Sequence, residues 1–160
     1  MKAYAMSFDG ALLARGFWLY VWRIVAPAET VLYVGRTGDS SSPHASSPFR
    51  RIGQHLDVRA NAKGNALGRQ LARAGLDPTC CTFDMVGIGP VFAEQIGMPA
   101  HVVFRDRAAV LEGALAVHLS GRGYTVLGEH PTRSLDSEPE LFEEIRGIVD
   151  AQFPAVTRST

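Results

Sequence analysis

The chain has little cysteine, no excess of charge of either sign and no long apolar run, and each shortage narrows what it can be. Its only two cysteines, Cys80 and Cys81, are neighbours. Adjacent thiols do not supply the spaced ligand pairs of a structural zinc site, and a disulfide between chain neighbours is strained, so two reduced, buried strand cysteines are expected. Sixteen basic residues balance sixteen acidic ones, which argues against an indiscriminate nucleic-acid binder. No stretch approaches the roughly 18 consecutive apolar residues of a membrane span, because Arg23 and Glu29 break the one candidate. The opening residues, with Lys2, Asp9 and Arg15, lack the uninterrupted apolar centre of a secretory signal, so no membrane partner and a cytoplasmic location are expected. Repeats, zinc fingers, a helix-turn-helix and a long basic tail are all missing, and Gly35-Arg36-Thr37-Gly38 lacks the ending of a phosphate loop.

What is present reads as one ordinary globular domain: 160 residues, 46% apolar and 20% charged. Residues 1–15 are weakly patterned, an arm or short helix around Ala11–Ala14. Residues 17–25 and 31–35, both rich in β-branched and aromatic side chains, flank the turn-forming Ala26-Pro27-Ala28-Glu29-Thr30 and predict an antiparallel hairpin. Tyr20 and Tyr33 are placed for their phenols to share one face of it at neighbouring rungs. Residues 38–48 form a polar loop with two prolines. Ser47-Pro48 then suits an N-cap and first turn, and Phe49, Ile52 and Leu56 make an apolar stripe that leaves Arg51 and His55 together on another face. A second helix is expected over 62–74, with Leu67, Leu71 and Ala74 inward, Arg69 and Arg73 outward and Gly75 as its stop. A third strand follows over 79–87, and 87–99 reads as an irregular insertion. A helix over 103–119 has apolar faces from Val110, Leu111, Ala114, Leu115, Val117 and Leu119, with Glu112 in its midst. After Gly121-Arg122-Gly123 come a short extended 124–127 and a last amphipathic helix from Glu138 to Ala151.

The neutral total conceals a dipole. Between Arg36 and Arg73 there are seven basic residues against two acidic ones, and between Glu129 and Asp150 two basic against seven acidic. A basic face that approaches phosphate, with an acidic segment elsewhere, accounts for this, and Arg36, Arg50, Arg59, Lys63 and Arg69 are the expected nucleic-acid contacts.

Tyr20, Tyr33, Arg51 and His55 fall within 36 positions. With Glu112 they form a set suited to phosphodiester cleavage, which needs an activated oxygen nucleophile, neutralisation of charge on the phosphate and help for the leaving oxygen. The planar, always charged Arg51 fork fits phosphate. Glu112 can anchor one hard divalent cation, Mg2+ or Mn2+, whose shell is completed by phosphate and water. Tyr20, assisted by a nearby cation, is the candidate base, and Tyr33 or His55 can relay or orient the proton.

The order of these residues resembles the GIY-YIG nuclease superfamily, found in homing endonucleases, excision-repair nucleases and some restriction enzymes. The likeness rests on Trp18-Leu19-Tyr20, Tyr33-Val34-Gly35, Arg51-x-x-x-His55 and Leu111-Glu112, and spans about residues 16–127. It implies an α+β fold, a small three-stranded antiparallel sheet flanked by helices, here with an extra C-terminal helix. The domain would cover 16–127, with 1–15 as an arm and 128–160 as an acidic helix and tail packed on it. It also implies a metal-dependent endonuclease with Tyr20 as general base, Tyr33 as its partner, Arg51 on the phosphate, His55 as auxiliary histidine and Glu112 as the ligand of one magnesium or manganese ion. Arg36 takes a place where several members have lysine. Trp18 replaces the glycine that opens the first motif, and the asparagine expected after the glutamate helix has no counterpart. The expected substrate is DNA, with RNA also compatible; selectivity would come from the 38–48 and 87–101 loops, a protein partner or a homodimer. The alternative is a non-cleaving nucleic-acid-binding or assembly module on the same scaffold.

Overall fold

The computed structural model describes residues 1–39, 42–59, 61–130, 134–135 and 137–156. Strands β1 (Phe17–Val25) and β2 (Thr30–Arg36) form the expected hairpin, in register with Tyr20 opposite Gly35 and Trp22 opposite Tyr33. Because side chains alternate across a strand, this register puts Tyr20, Trp22 and Tyr33 on one face, with the two tyrosines on a diagonal. Strand β3 (Thr82–Phe92) pairs with the other side of β1, so β1 lies inside the sheet, and its residues Phe17–Trp22 are all buried.

Two expectations need correction here. The sheet has four strands in the order β3-β1-β2-β4, because β4 (Thr125–Leu127) joins the outer side of β2 in parallel. Residues 87–92 are strand and not insertion, and β3 begins three residues later than expected. Gly87 and Gly89 serve the packing of this strand: a Cβ on Gly87 would stand 2.5 Å from Leu12, and one on Gly89 would crowd the Trp18 ring at 3.2 Å. The cysteines precede the strand. Cys80 ends a 3-10 turn (Pro78–Cys80) and is exposed, while Cys81 is half-buried.

Helix α1 (Pro48–His55) has the expected Ser47 cap, whose side chain accepts from the Arg50 N–H. Helix α2 (Ala66–Arg73) turns Leu67 and Leu71 inward but leaves Ala74 exposed, and Gly75 follows it with φ +72°. Helix α3 (Met98–Gly121) is longer than its apolar pattern suggested, and Val117 faces solvent. Helix α4 (Pro139–Gln152) ends the fold. None of the helices among the described residues is long and apolar enough to cross a membrane.

The sheet separates two cores. On one face Tyr20, Trp22, Ile24, Val31 and Tyr33 pack with Leu67 and Leu71 of α2. On the other, Leu19, Val21, Leu32 and Val34 pack with Leu111, Leu115 and Leu119 of α3 and with Phe142, Ile145 and Val149 of α4. Helix α1 lies on the tyrosine face with an unexpected orientation. Its Phe49, Ile52 and Leu56 stripe is only half-buried, while Arg51 and His55 are buried, at 9% and 3% exposure, along with Pro48 of the first turn.

Candidate active site

His55 enters the core because a polar partner waits there. Its Nε2 lies 2.6 Å from the Tyr20 hydroxyl, and its Nδ1 lies 3.5 Å from the Leu67 N–H at the start of α2. An N–H aimed at Nδ1 makes that nitrogen the acceptor, so Nε2 carries the proton and donates to Tyr20. The Tyr20 hydroxyl in turn donates to the Arg36 carbonyl at 3.1 Å. Backbone amide, imidazole, phenol and backbone carbonyl thus form one directed chain from α2 to the end of β2. Both tyrosine rings meet the imidazole edge to face, with centroids 5.6 Å away for Tyr20 and 5.5 Å for Tyr33.

Burial sets the protonation of this group. It pushes the Tyr20 phenol well above its ordinary range, against the pull of the Arg51 charge, and pushes Tyr33 up to about 12, with Glu112 adding to the rise. It also lowers His55 to about 4, helped by the Arg51 and Arg69 cations, so the imidazole is neutral at physiological pH.

Glu112 arrives from the opposite core. Its neighbour Leu111 is buried among the α3 contacts, yet its own carboxylate reaches the end of β2, with Oε2 3.2 Å from Arg36 Nε. The contact is an ion pair and not an aligned hydrogen bond, since Arg36 Nε is buried with no hydrogen-bond partner among the described residues. Burial raises the Glu112 carboxyl, opposed by Arg36 and Arg51. The two cores can meet here because β4 pairs only with Val31, Leu32 and Tyr33, so the β2 edge beyond Tyr33 has no β4 partner. A cleft of about 240 Å³ lies at that edge, lined by Tyr33, Arg36, Glu112, Gly128, Glu129 and His130.

Arg51 faces elsewhere. It lines a larger cleft of about 610 Å³ together with Arg15, Asp39, His44, Arg50 and Glu94. Its guanidinium contacts Asp39 Oδ1, and Nη1 lies 3.4 Å from Gln54 Oε1, while Nε is buried without a hydrogen-bond partner among the described residues. The five expected catalytic residues are therefore electrostatically coupled but do not share one cleft. Tyr33 and Glu112 line the smaller cleft, Arg51 the larger, and Tyr20 and His55 are buried and line neither. The 38–48 and 87–101 segments do converge, because Glu94 receives a bidentate pair from Arg15 and lies 3.6 Å from His44.

The expected nucleic-acid contacts divide in the same way. Arg36 belongs to the smaller cleft and Arg50 to the larger. Arg59 is engaged by Asp57, Arg69 donates to Asn65, and both border a third cleft, while Lys63 is exposed. Asp39 and the Arg36–Glu112 pairing have no sequence signal, because both are contacts between separate segments that no local pattern encodes. As to metal, Glu112 shares the smaller cleft with Glu129 and His130, and no group of three His, Cys, Asp or Glu able to hold an ion occurs among the described residues. A divalent cation on Glu112 would need further ligands from substrate and water, and Arg36 is the cation already beside that carboxylate. Comparison with protein-family models, with curated proteins and with solved structures finds no match for this chain.

Proposed function

We propose that this chain is a metal-dependent endonuclease that hydrolyses DNA phosphodiester bonds through a GIY-YIG-like site. The observation that carries the reading is that Glu112, from one core, and Tyr33, from the other, line one cleft at the uncovered end of β2, to which the buried Tyr20–His55 pair is tied through the Arg36 carbonyl. A fold needs no such arrangement for stability, since it brings a carboxylate, two phenols and two guanidiniums into mutual influence at partial or full burial. Arg51 and Arg36 would bind the strand on either side of the reacting phosphate, running from the larger cleft to the smaller. Glu112 would hold one magnesium or manganese ion, which supplies Lewis-acid stabilisation of the phosphate charge. Of the two phenols Tyr33 touches the cleft and is the less strongly raised, so it is the one to orient water; to act as base it would first have to lose its own proton to solvent, which a bound divalent cation would favour. Tyr20, clamped between His55 and the Arg36 carbonyl, is a positioning residue behind it.

A second reading, a non-cleaving nucleic-acid-binding module, is favoured by the Arg36 guanidinium on Glu112, which fills the place of a metal with a side chain. A plasmid-nicking assay with and without magnesium or manganese separates the two. Cleavage by the wild type, lost in Glu112→Gln and Arg51→Ala with folding retained, supports the nuclease. Salt-sensitive DNA binding without turnover supports the module, and full activity in either variant refutes the site.

A further inference from the structure

We propose that Asp39 is a built-in competitor for phosphate: its carboxylate occupies the Arg51 fork in the free protein and must leave before a phosphate can bind. For DNA as the displacing ligand the inference rests on the endonuclease reading; for the anion site itself it does not.

Arg51 is a cation at 9% exposure, and a buried charge without a counter-ion is costly. Among the described residues Gln54 offers one neutral acceptor and Nε has none, so the carboxylate in direct contact with this charge is Asp39. A carboxylate presents its oxygens to a guanidinium much as a phosphate does, which makes the pair a stand-in for the bound state. The two partners differ in how firmly they are held. Arg51 is fixed by its buried place on α1, while the Asp39 side chain is 44% exposed. An ion pair with one partner half in water is weak and screened by salt. A phosphate brings more oxygens and more charge to the same fork, and Arg50 lines the same cleft to receive them, while Arg15 and His44 there already face Glu94. Asp39 therefore stabilises the vacant site without blocking it permanently, and it sets a threshold that weak or singly charged anions do not pass.

The test measures two ligands separately. Inorganic phosphate binding is followed by titration calorimetry and by the NMR signal of Arg51 Nε. A short fluorescein-labelled DNA duplex is followed by anisotropy in EDTA, which prevents turnover. Asp39→Asn should bind both about tenfold more tightly, the gain expected if Asp39 leaves the fork free only about a tenth of the time. Asp106→Asn, which removes the same charge from an exposed pair with Arg105 on α3, should gain much less. In an Arg51→Ala background the Asp39 gain should vanish. An equal gain in the two Asn variants, a gain that survives without Arg51, or an Asp39→Asn protein that melts lower and binds no better would each overturn the proposal. If phosphate binds more tightly through Arg51 while DNA is neither bound nor cut, the competitor stands and the endonuclease reading falls. If wild type binds and cuts DNA but Asp39→Asn gains nothing, the reverse holds.

Discussion

Replacing Gly35 with alanine should break the Tyr20–His55 pair without touching either residue. Gly35 lies opposite Tyr20 in the ladder, and the ring crosses it so closely that an added Cβ would stand 2.4 Å from Tyr20 Cε2 and 2.7 Å from both Cζ and the hydroxyl. Those separations are far inside van der Waals contact, and the ring has no room to retreat, being 1% exposed with His55 at 2.6 Å beyond it. Overpacking of this kind costs about 1–3 kcal/mol, and loss of the imidazole–phenol hydrogen bond adds roughly 1 kcal/mol. The variant should thus lose about 2–4 kcal/mol in urea denaturation. Its His55 ring resonances should shift as Nε2 loses the phenol. In a Tyr20→Ala background the same Gly35→Ala change should cost less than about 0.5 kcal/mol, because the clash is then gone. Wild-type stability in the single variant, or a full cost that persists without the Tyr20 ring, would refute the packing argument.

Two further outcomes follow from buried groups. His55 titrates near 4 in the folded protein and near 6.5 when unfolded, so the unfolded chain takes up its proton first. The stability that His55 contributes should therefore fall as pH drops from about 6.5 to 4, by up to about 3 kcal/mol, and change no further below that. His130 shifts in the same direction, so urea melts at pH 7 and pH 4.5 should be compared with His55→Gln, in which most of the dependence should disappear; an unchanged dependence would contradict the assignment. Trp18 is 3% exposed and its indole N–H donates to the Ala14 carbonyl at 3.1 Å. Trp18→Gly, which restores the residue of the resembled family, should destabilise this chain by at least about 3–5 kcal/mol in a thermal or urea melt; a neutral result would mean that the glycines of β3 are not there to receive the ring.

The parts of the fold legible in the sequence are those fixed by neighbours in the chain. The β1–β2 hairpin follows from β-branched and aromatic runs around a proline-bearing break, and the start of α1 follows from Ser47-Pro48. Periodicity also grouped Arg51 with His55 correctly, but it could not say which face of α1 turns inward. An apolar stripe normally decides that; here the polar face goes in because Tyr20 and Asp39, from outside the helix, satisfy it. The sequence pattern ends strand β3 early because Gly87-Ile88-Gly89-Pro90 looks like a break. On an edge strand a proline forfeits no obligatory ladder bond and the glycines admit Leu12 and Trp18, so the strand continues through them. Strand β4 has three residues and a parallel partner almost a hundred positions earlier, which no local pattern encodes.

That short strand is also what makes a site possible. Had β4 run the length of β2, the edge at Val34–Arg36 would be paired and the α3 core would be sealed from the tyrosine core. Instead the chain turns away at Gly128, whose φ of +99° lies in the left-handed region that glycine adopts readily, and the segment through His130 becomes the far wall of the smaller cleft. The polar groups exposed at the end of β2 then need partners, and they draw them from both faces: the Arg36 carbonyl takes the Tyr20 hydroxyl, and the Arg36 side chain takes Glu112. An unfinished sheet edge thus converts residues distant in sequence into one coupled set, with Tyr33, the last β2 residue paired to β4, as the phenol at its opening.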